Sequence, residues 1–210
     1  FSGVRQHPSA THFPSTPHFR IPNAYPGSPA LAAAIMRKAD RAALFELHPA
    51  DHALLAERFA ADRRVRVLKE NGFSSLKALL PPPSRRALVL MDPSDELGGD
   101  YASVRAALAE ALKRFAGCVV LIWYPVLDRA EARELPAMLR EEAARAGRPW
   151  LDARLSLRLL SPGERGMAGS GLFAANPPYR LEENLRESLP LMAGLLGGAT
   201  GAWTLDTGSA

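Results

Sequence analysis

The stretch "RRALVLMDPSDELGGDY", Arg85 to Tyr101, contains the pattern that decides the fold. Its apolar run, Leu88 to Met91, does not alternate with polar residues, which predicts a β-strand buried on both faces. Asp92 and Pro93 end this run and present a carboxylate at the end of the strand. Because ligands of open α/β sheets bind beyond the carboxyl ends of the strands, Asp92 is a candidate functional residue.

Strand-like and helical segments alternate on both sides of this stretch. Ser28 is a typical helix cap and Pro29 suits the first helical position, so a helix is expected from Ser28 to about Asp40. The segment "CVVLIWYPV", Cys118 to Val126, predicts a buried strand. The alternation predicts a mostly parallel, doubly wound α/β sheet. The other predicted strands are residues 42–48, 65–70, 153–160, 170–178 and 201–207, and the other predicted helices are residues 49–62, 72–80, 100–117, 128–147 and 181–198.

The helix predicted after Asp100 has a clear apolar face. Val104, Leu108, Leu112 and Phe115 recur at helical spacing. Gly117 is expected to end this helix before the apolar strand begins.

The amino-terminal segment differs from the rest of the chain. Residues 1–24 are rich in Pro, Ser and His and sustain neither the helical nor the strand period, so they are expected to form an irregular tail. Three of the five histidines, His7, His12 and His18, lie there, and we assign them no metal site because a metal needs fixed geometry. Residues 25–210 are expected to form one α/β domain.

Composition narrows the class of protein. The chain has 210 residues, of which 47% are hydrophobic and 23% charged, which is typical of a globular protein and not of a disordered one. The single cysteine, Cys118, excludes an internal disulfide and favours a reducing cytoplasm. No apolar run reaches the roughly 18 to 20 residues that a bilayer requires, and no signal-peptide core is visible. We therefore expect a soluble, cytoplasmic protein.

The charge of the chain favours an anionic partner. The net charge is +4 and the isoelectric point is about 9.6. Arginine binds phosphate oxygens in a bidentate manner, so salt-sensitive binding to a nucleic acid is expected. A solvated, arginine-rich surface explains the same composition equally well. The arginines that carry this pattern include Arg63, Arg64, Arg66, Arg85, Arg86 and Arg165.

Several polar residues fall where the predicted strands end. Acids at such positions can hold ribose hydroxyls or an amine, and the same residues can instead cap the following helices. Both interpretations remain open for each residue taken alone. The set comprises Glu46 with His48, Asn71 with Gly72, Asp92, and Tyr124 with Pro125.

Six segments together resemble a known family. They occur in the order of the bacterial large-subunit ribosomal RNA adenine-N6 methyltransferase J family, and the resemblance covers nearly everything from Tyr25 to the carboxyl terminus. It implies a Rossmann-like class I methyltransferase fold, S-adenosylmethionine as cofactor, and methylation of an adenine amine in protein-free large-subunit ribosomal RNA. The family is also associated with the use of external DNA as a nutrient. The segments are "YPGSP" (25–29), "FELHPAD" (45–51), "LPPPSRRALVLMDP" (80–93), "DY" (100–101), "WYPV" (123–126) and "RGMAGSGLFAANPPY" (165–179).

The resemblance also implies roles for individual residues. Ser28 corresponds to a serine near the methyl donor, and Glu46 to the acid that accepts hydrogen bonds from the donor's ribose. Asn71 and Gly72 fall where the family resembles Asp-Gly beside the donor's adenine. Asp92 corresponds to the catalytic aspartate. Since asparagine keeps an oxygen acceptor but lacks the charge, donor binding is expected to be weakened.

The catalytic motif departs from the usual Asp-Pro-Pro-Tyr. Here it reads Asp92, Pro93, Ser94, Asp95, so the aromatic residue that stacks on the flipped base is missing. Tyr101 and Tyr124 are the candidates to replace it.

A second motif matches amine methyltransferases by itself: "NPPY", Asn176 to Tyr179. Its alternative interpretation is a turn that ends a strand. We expect Asp92 rather than Asn176 to act, because Asn176 should end a late strand toward the far edge of the sheet.

The family's first strand and glycine-rich donor loop are not recognisable before "YPGSP". The sheet is therefore expected to lack its first strand, which in this fold lies between the strand predicted at 42–48 and the strand predicted at Leu88 to Met91. Donor binding is expected to be weak or absent. Three hypotheses follow: an adenine-N6 RNA methyltransferase, a non-catalytic nucleic-acid-binding relative, or a fragment that needs a partner chain to complete its sheet.

Overall fold

A computed structural model describes residues 26–93, 100–161, 163–164 and 166–209. Its chain divides into two compact units, the first ending at Gly72 and the second beginning at Phe73. The amino-terminal tail with its three histidines, the motif residues Ser94 and Asp95, and Arg165 lie outside the described residues.

The first unit contains a two-stranded parallel sheet. Ala42 pairs with Val65 and Phe45 with Leu68, so the carboxyl ends of both strands lie at the same edge. The helix between the strands buries Phe59. The elements are α1 (Ser28–Ile35), β1 (Ala42–Phe45), α2 (Pro49–Phe59) and β2 (Val65–Leu68).

The first helix is shorter than predicted, and its cap differs. Gly27, not Ser28, occupies the N-cap position, and among the described residues no side chain caps the helix. The helix ends at Ile35, and Arg64 satisfies carbonyl groups at this end by donating to the oxygens of Ala33 at 3.2 Å and Met36 at 2.7 Å. Arg64 therefore has a structural role in this unit.

Arg64 also binds the carboxylate of Asp62, with 2.7 Å between Nη2 and Oδ2. This side-chain hydrogen bond lowers the pKa of Asp62 to about 2. The Arg64 guanidinium is thus already occupied by Asp62 and by two carbonyl groups. Arg64 is therefore not one of the arginines available to a phosphate.

The second unit is built on a five-stranded sheet in the order β3-β4-β6-β5-β7. β3 and β4 are parallel, whereas the pairs β4 with β6, β6 with β5, and β5 with β7 are antiparallel. Its elements are α3 (Gly72–Leu79), β3 (Leu88–Met91), α4 (Asp100–Arg114), β4 (Val119–Val126), α5 (Ala130–Arg145), β5 (Trp150–Ser156), β6 (Gly169–Ala175), α6 (Leu181–Gly197) and β7 (Ala202–Gly208).

The predicted α/β fold class is confirmed, but the predicted parallel arrangement holds only within two pairs, β1 with β2 and β3 with β4. In the described part of the chain, residues 157–168 form no helix between β5 and β6. Without a helical crossover the chain reverses direction, so β5 and β6 pair in antiparallel fashion.

The core of the second unit forms where the sequence pattern places it. Val104 and Leu108 of α4 are fully buried, as is Ile122 of β4. Cys118, just before β4, is also fully buried, and burial raises the pKa of its thiol to about 11. The predicted buried strand is therefore confirmed, and so is the predicted helix face at Val104, Leu108 and Leu112. Phe115 lies just beyond α4, which ends at Arg114, and is partly buried against the core.

The prediction that β3 is buried on both faces is wrong. Met91 is 5% exposed and Val89 packs against the core, whereas Leu88 and Leu90 are 60% and 44% exposed. In the described part of the chain β3 pairs only with β4, and it is therefore an edge strand with one covered face.

Candidate active site

The carboxyl edge of the first unit brings together Glu46 and the end of β2. Glu46 follows β1 directly, and its N–H donates to the carbonyl of Leu68 at 3.1 Å. The half-buried Glu46 side chain accepts a hydrogen bond from the N–H of His48 at 2.7 Å. The loop after β1 thus fixes a carboxylate at the end of the parallel pair.

Gly72 brings the next loop close to the same edge. A Cβ atom on Gly72 would lie 3.2 Å from the Cβ of Phe45, closer than ordinary van der Waals contact. Glycine therefore allows the backbone at position 72, the last residue of the first unit, to approach the end of β1. This approach puts the exposed Asn71 at the edge that carries Glu46.

Ser28 lies at the amino-terminal end of α1. The other end of α1 is bound by Arg64, which immediately precedes β2. All four residues expected near the donor therefore belong to the first unit, and Glu46, Asn71 and Gly72 meet at its carboxyl edge.

Asp92 is positioned by the parallel pairing of β3 and β4 in the second unit. Met91 pairs with Ile122, and Asp92 follows at the carboxyl end of β3. Its side chain is exposed, and Pro93 comes next. The location agrees with the strand-end position predicted from the sequence.

Tyr124 does not lie at a strand end, contrary to prediction. It is inside β4 and 2% exposed, with its hydroxyl 2.5 Å from Oδ1 of Asp152 and 3.0 Å from Nε of Arg154. Burial, and then the neighbouring Asp152, raise the pKa of Tyr124, so it remains a neutral phenol. The opposite residue is Gly171, where a Cβ atom would lie 2.0 Å from the Tyr124 ring. Tyr124 is therefore enclosed and cannot stack on a base.

Tyr101 is not presented as a stacking residue either. It lies on α4, is half-buried, and packs against the main core.

The "NPPY" motif lies at the other end of the strands from Asp92. The side-chain amide of Asn176 donates to the carbonyls of Ala116 and Cys118, both at 2.8 Å, just before β4 begins. Its backbone N–H donates to the carbonyl of Pro149 at 2.9 Å. From the strand register, Asn176 and Asp92 are separated by roughly 13 Å along the strand direction.

The expected reason for excluding Asn176 was wrong. Its strand, β6, is not at the far edge but directly beside β4. The separation arises because β6 runs antiparallel to β4 and ends at the amino edge. The geometry supports the interpretation of Asn176 as a strand-ending turn, and its φ of 51° is one that asparagine adopts more readily than most residues.

The sequence interpretation missed a buried charge network on β5. Asp152 is fully buried and accepts hydrogen bonds from Tyr124, from Arg140 at 2.6 Å and from Arg154 at 3.3 Å. The signal was a lone aspartate inside the segment that forms β5, "WLDARLS". A charged residue inside a strand is a weak signal because most such side chains face solvent.

Neither a metal site nor a membrane-spanning helix is found within the described ranges. The His, Cys, Asp and Glu side chains there form no group of three or more that could hold a metal ion. None of the helices described is long and apolar enough to cross a membrane.

Parallel strands with polar residues at their carboxyl ends, followed by antiparallel strands, define a Rossmann-like α/β protein of the class I methyltransferase type. The family model described as "Ribosomal RNA large subunit methyltransferase D, RlmJ" matches residues 19–207, and the chain belongs to this family. The resemblance identified from the sequence is confirmed.

Two curated relatives carry the name "Ribosomal RNA large subunit methyltransferase J". The protein from Haemophilus influenzae is 43% identical over 183 residues, which cover 87% of this chain and 64% of the relative. The protein from Escherichia coli K12 is 41% identical over 184 residues, which cover 85% and 64%. The chain thus spans about 64% of the length of these relatives.

A crystal structure of a Legionella pneumophila protein has the same fold. It superposes with a TM-score of 0.80 at 31% identity and covers 88% of this chain and 67% of the other.

Proposed function

We propose that this protein methylates the N6 amine of an adenine in large-subunit ribosomal RNA, with S-adenosylmethionine as the methyl donor. The observation that carries the proposal is the position of Asp92, an exposed carboxylate at the carboxyl end of β3 in a member of this family. The names of both curated relatives support ribosomal RNA as the substrate. We include in the proposal that the RNA is free of ribosomal proteins and that the reaction takes place in the cytoplasm.

The role proposed for Asp92 follows from the chemistry of the amine. An exocyclic adenine amine is a poor nucleophile because its lone pair is delocalised into the ring. The Asp92 carboxylate accepts one amine hydrogen and the carbonyl of Pro93 accepts the other. These two hydrogen bonds localise the lone pair on nitrogen and orient it for attack.

The polar residues at the carboxyl edge of the first unit are suited to bind the nucleoside part of the methyl donor. Glu46 provides a fixed carboxylate for ribose hydroxyls, and the tight packing at Gly72 brings Asn71 to the same edge. Ser28 completes the proposed donor set. S-adenosylmethionine, when bound, supplies an electrophilic methyl group.

The proposal is tested by methyl transfer to RNA. The chain is incubated with radiolabelled S-adenosylmethionine and protein-free large-subunit ribosomal RNA, and the nucleosides are identified after digestion. Label in N6-methyladenosine supports the proposal. Bound but unlabelled RNA would instead support the non-catalytic nucleic-acid-binding relative.

We expect Glu46→Ala to weaken binding of S-adenosylmethionine at least about tenfold, because the ribose loses a charged acceptor. Isothermal titration calorimetry, run at protein concentrations suited to weak binding, measures the change. The matched control is Glu57→Ala, which removes an exposed carboxylate from α2. Equal affinities of the two variants would remove Glu46 from the donor site.

A further inference from the structure

The amino ends of β3, β4 and β5 and the carboxyl ends of β6 and β7 lie at the other end of the sheet from Asp92. The carbonyl of Ala87 accepts a hydrogen bond from Val119 at 3.1 Å, which joins the starts of β3 and β4. Asn176 joins the end of β6 to the carbonyls of Cys118 at 2.8 Å and Pro149 at 2.9 Å. We call this end of the unit the amino-edge surface.

The amino-edge surface is rich in cationic side chains. Arg85 and Arg86 are exposed on the segment that leads into β3, and Lys113 is exposed at the end of α4. Within the described part of the chain, these three form no ion pair. The cations of this surface are Arg85, Arg86, Lys113, Arg114, Arg148 and Arg180.

Two carboxylates are paired with arginines of this surface. Glu110 is bound by Arg114 at 2.5 Å, and Glu183 by Arg180 at 2.8 Å. Each acid is therefore occupied by its own arginine, and an excess of positive charge remains for an anionic partner.

Tyr179 adds an aromatic ring to this surface. Its side chain is 95% exposed and follows two prolines, Pro177 and Pro178. The hydrogen bonds of Asn176 hold the start of this segment, and the prolines restrict its backbone. An exposed aromatic ring next to Arg180, at the end of the sheet that also carries Arg85 and Arg86, has the composition of a single-strand binding surface, where bases stack on rings and phosphates contact Lys and Arg.

We propose that the amino-edge surface binds a single-stranded segment of RNA, with one base stacked on Tyr179 and phosphates bound by Arg85 and Arg86. Arg85 and Arg86 lie just before the start of β3, and Tyr179 follows the end of β6 by four residues. These two strand ends are two strands apart, about 10 Å, a span within the length of a short single-stranded segment. The segment is distinct from the adenine at Asp92, and the inference rests on the proposed RNA substrate.

The test uses fluorescence anisotropy of a labelled single-stranded oligoribonucleotide over a range of salt concentrations, without methyl donor. Tyr179→Ala should weaken binding at least about fivefold, whereas Tyr179→Phe, which keeps the ring, should change it less than about twofold. The double variant Arg85→Ala, Arg86→Ala should reduce the slope of log affinity against log salt by about 1.4. Wild-type affinity and slope in these variants would overturn the proposal.

Two controls make the result specific. Arg58→Ala removes an exposed charge from α2 and should leave the slope unchanged. The fluorescence of 2-aminopurine in an oligoribonucleotide should be quenched on binding to the wild type and to Tyr179→Phe but not on binding to Tyr179→Ala. Quenching that persists in Tyr179→Ala contradicts stacking on this ring.

The outcome is separable from that of the proposed methylation. Asp92→Ala should bind the oligoribonucleotide like the wild type, because Asp92 lies at the other end of the strands. RNA binding that depends on Tyr179 in a protein without methyl transfer would refute the proposed function alone. Methyl transfer with unchanged RNA affinity in Tyr179→Ala would refute the amino-edge proposal alone.

Discussion

Asp92→Ala is expected to reduce the single-turnover rate of methyl transfer at least about a hundredfold, corresponding to about 3 kcal/mol in the barrier. The variant removes the acceptor of an amine hydrogen, so the lone pair stays delocalised in the base. Affinity for RNA should remain, since phosphate contacts supply most of it. The loss should therefore appear in the rate of the chemical step and not in binding.

Asn176→Ala is the matched control for this prediction. Both residues head a Pro-containing motif, but Asn176 hydrogen-bonds the chain before β4 instead of facing the carboxyl edge. The variant should melt at a lower temperature and, assayed well below that temperature, retain the wild-type rate within about threefold. If Asn176→Ala transferred no methyl group and Asp92→Ala remained active, the catalytic residue would be Asn176 and not Asp92.

Helices and strands could be predicted from the sequence where the apolar residues of a single segment recur at a helical or strand period. On α4, Val104 and Leu108 are spaced for one helix face, and both are fully buried. The exposure of Leu88 and Leu90 could not be predicted, because burial of a strand depends on what covers its faces. The direction of β6 could not be predicted either, because it follows from the connection between β5 and β6, which contains no helix in the described part of the chain.

The candidate site divides in the same way. Glu46 and Asp92 were identifiable because an acid directly after an apolar strand is a local feature. The enclosure of Tyr124 was not, because it depends on the pairing of β4 with Gly171 across the sheet. Asn176 shows the limit of a four-residue motif: its chemistry depends on the end of the sheet at which its strand stops.

The largest effect on stability is expected from Asp152→Ala. Asp152 is fully buried, and its two oxygens serve Tyr124, Arg140 and Arg154. Removing the carboxylate leaves the buried Tyr124 hydroxyl without its acceptor and takes one hydrogen-bond partner from Arg140 and one from Arg154, whose side chains are about a third exposed. The loss of these bonds costs about 2 to 4 kcal/mol. This is a large part of the roughly 5 to 15 kcal/mol that holds a domain folded.

Asp206→Ala is the matched control, because Asp206 faces Asp152 across the β5–β7 pair and binds the same nitrogen of Arg140. The Asp206 side chain is 51% exposed, so its pair is screened by solvent and should be worth less than about 1 kcal/mol. Thermal unfolding followed by circular dichroism should show a fall in Tm of about 10 °C for Asp152→Ala and a few degrees at most for Asp206→Ala. If Tm fell equally in both variants, the burial of Asp152 would not be what makes its carboxylate stabilising.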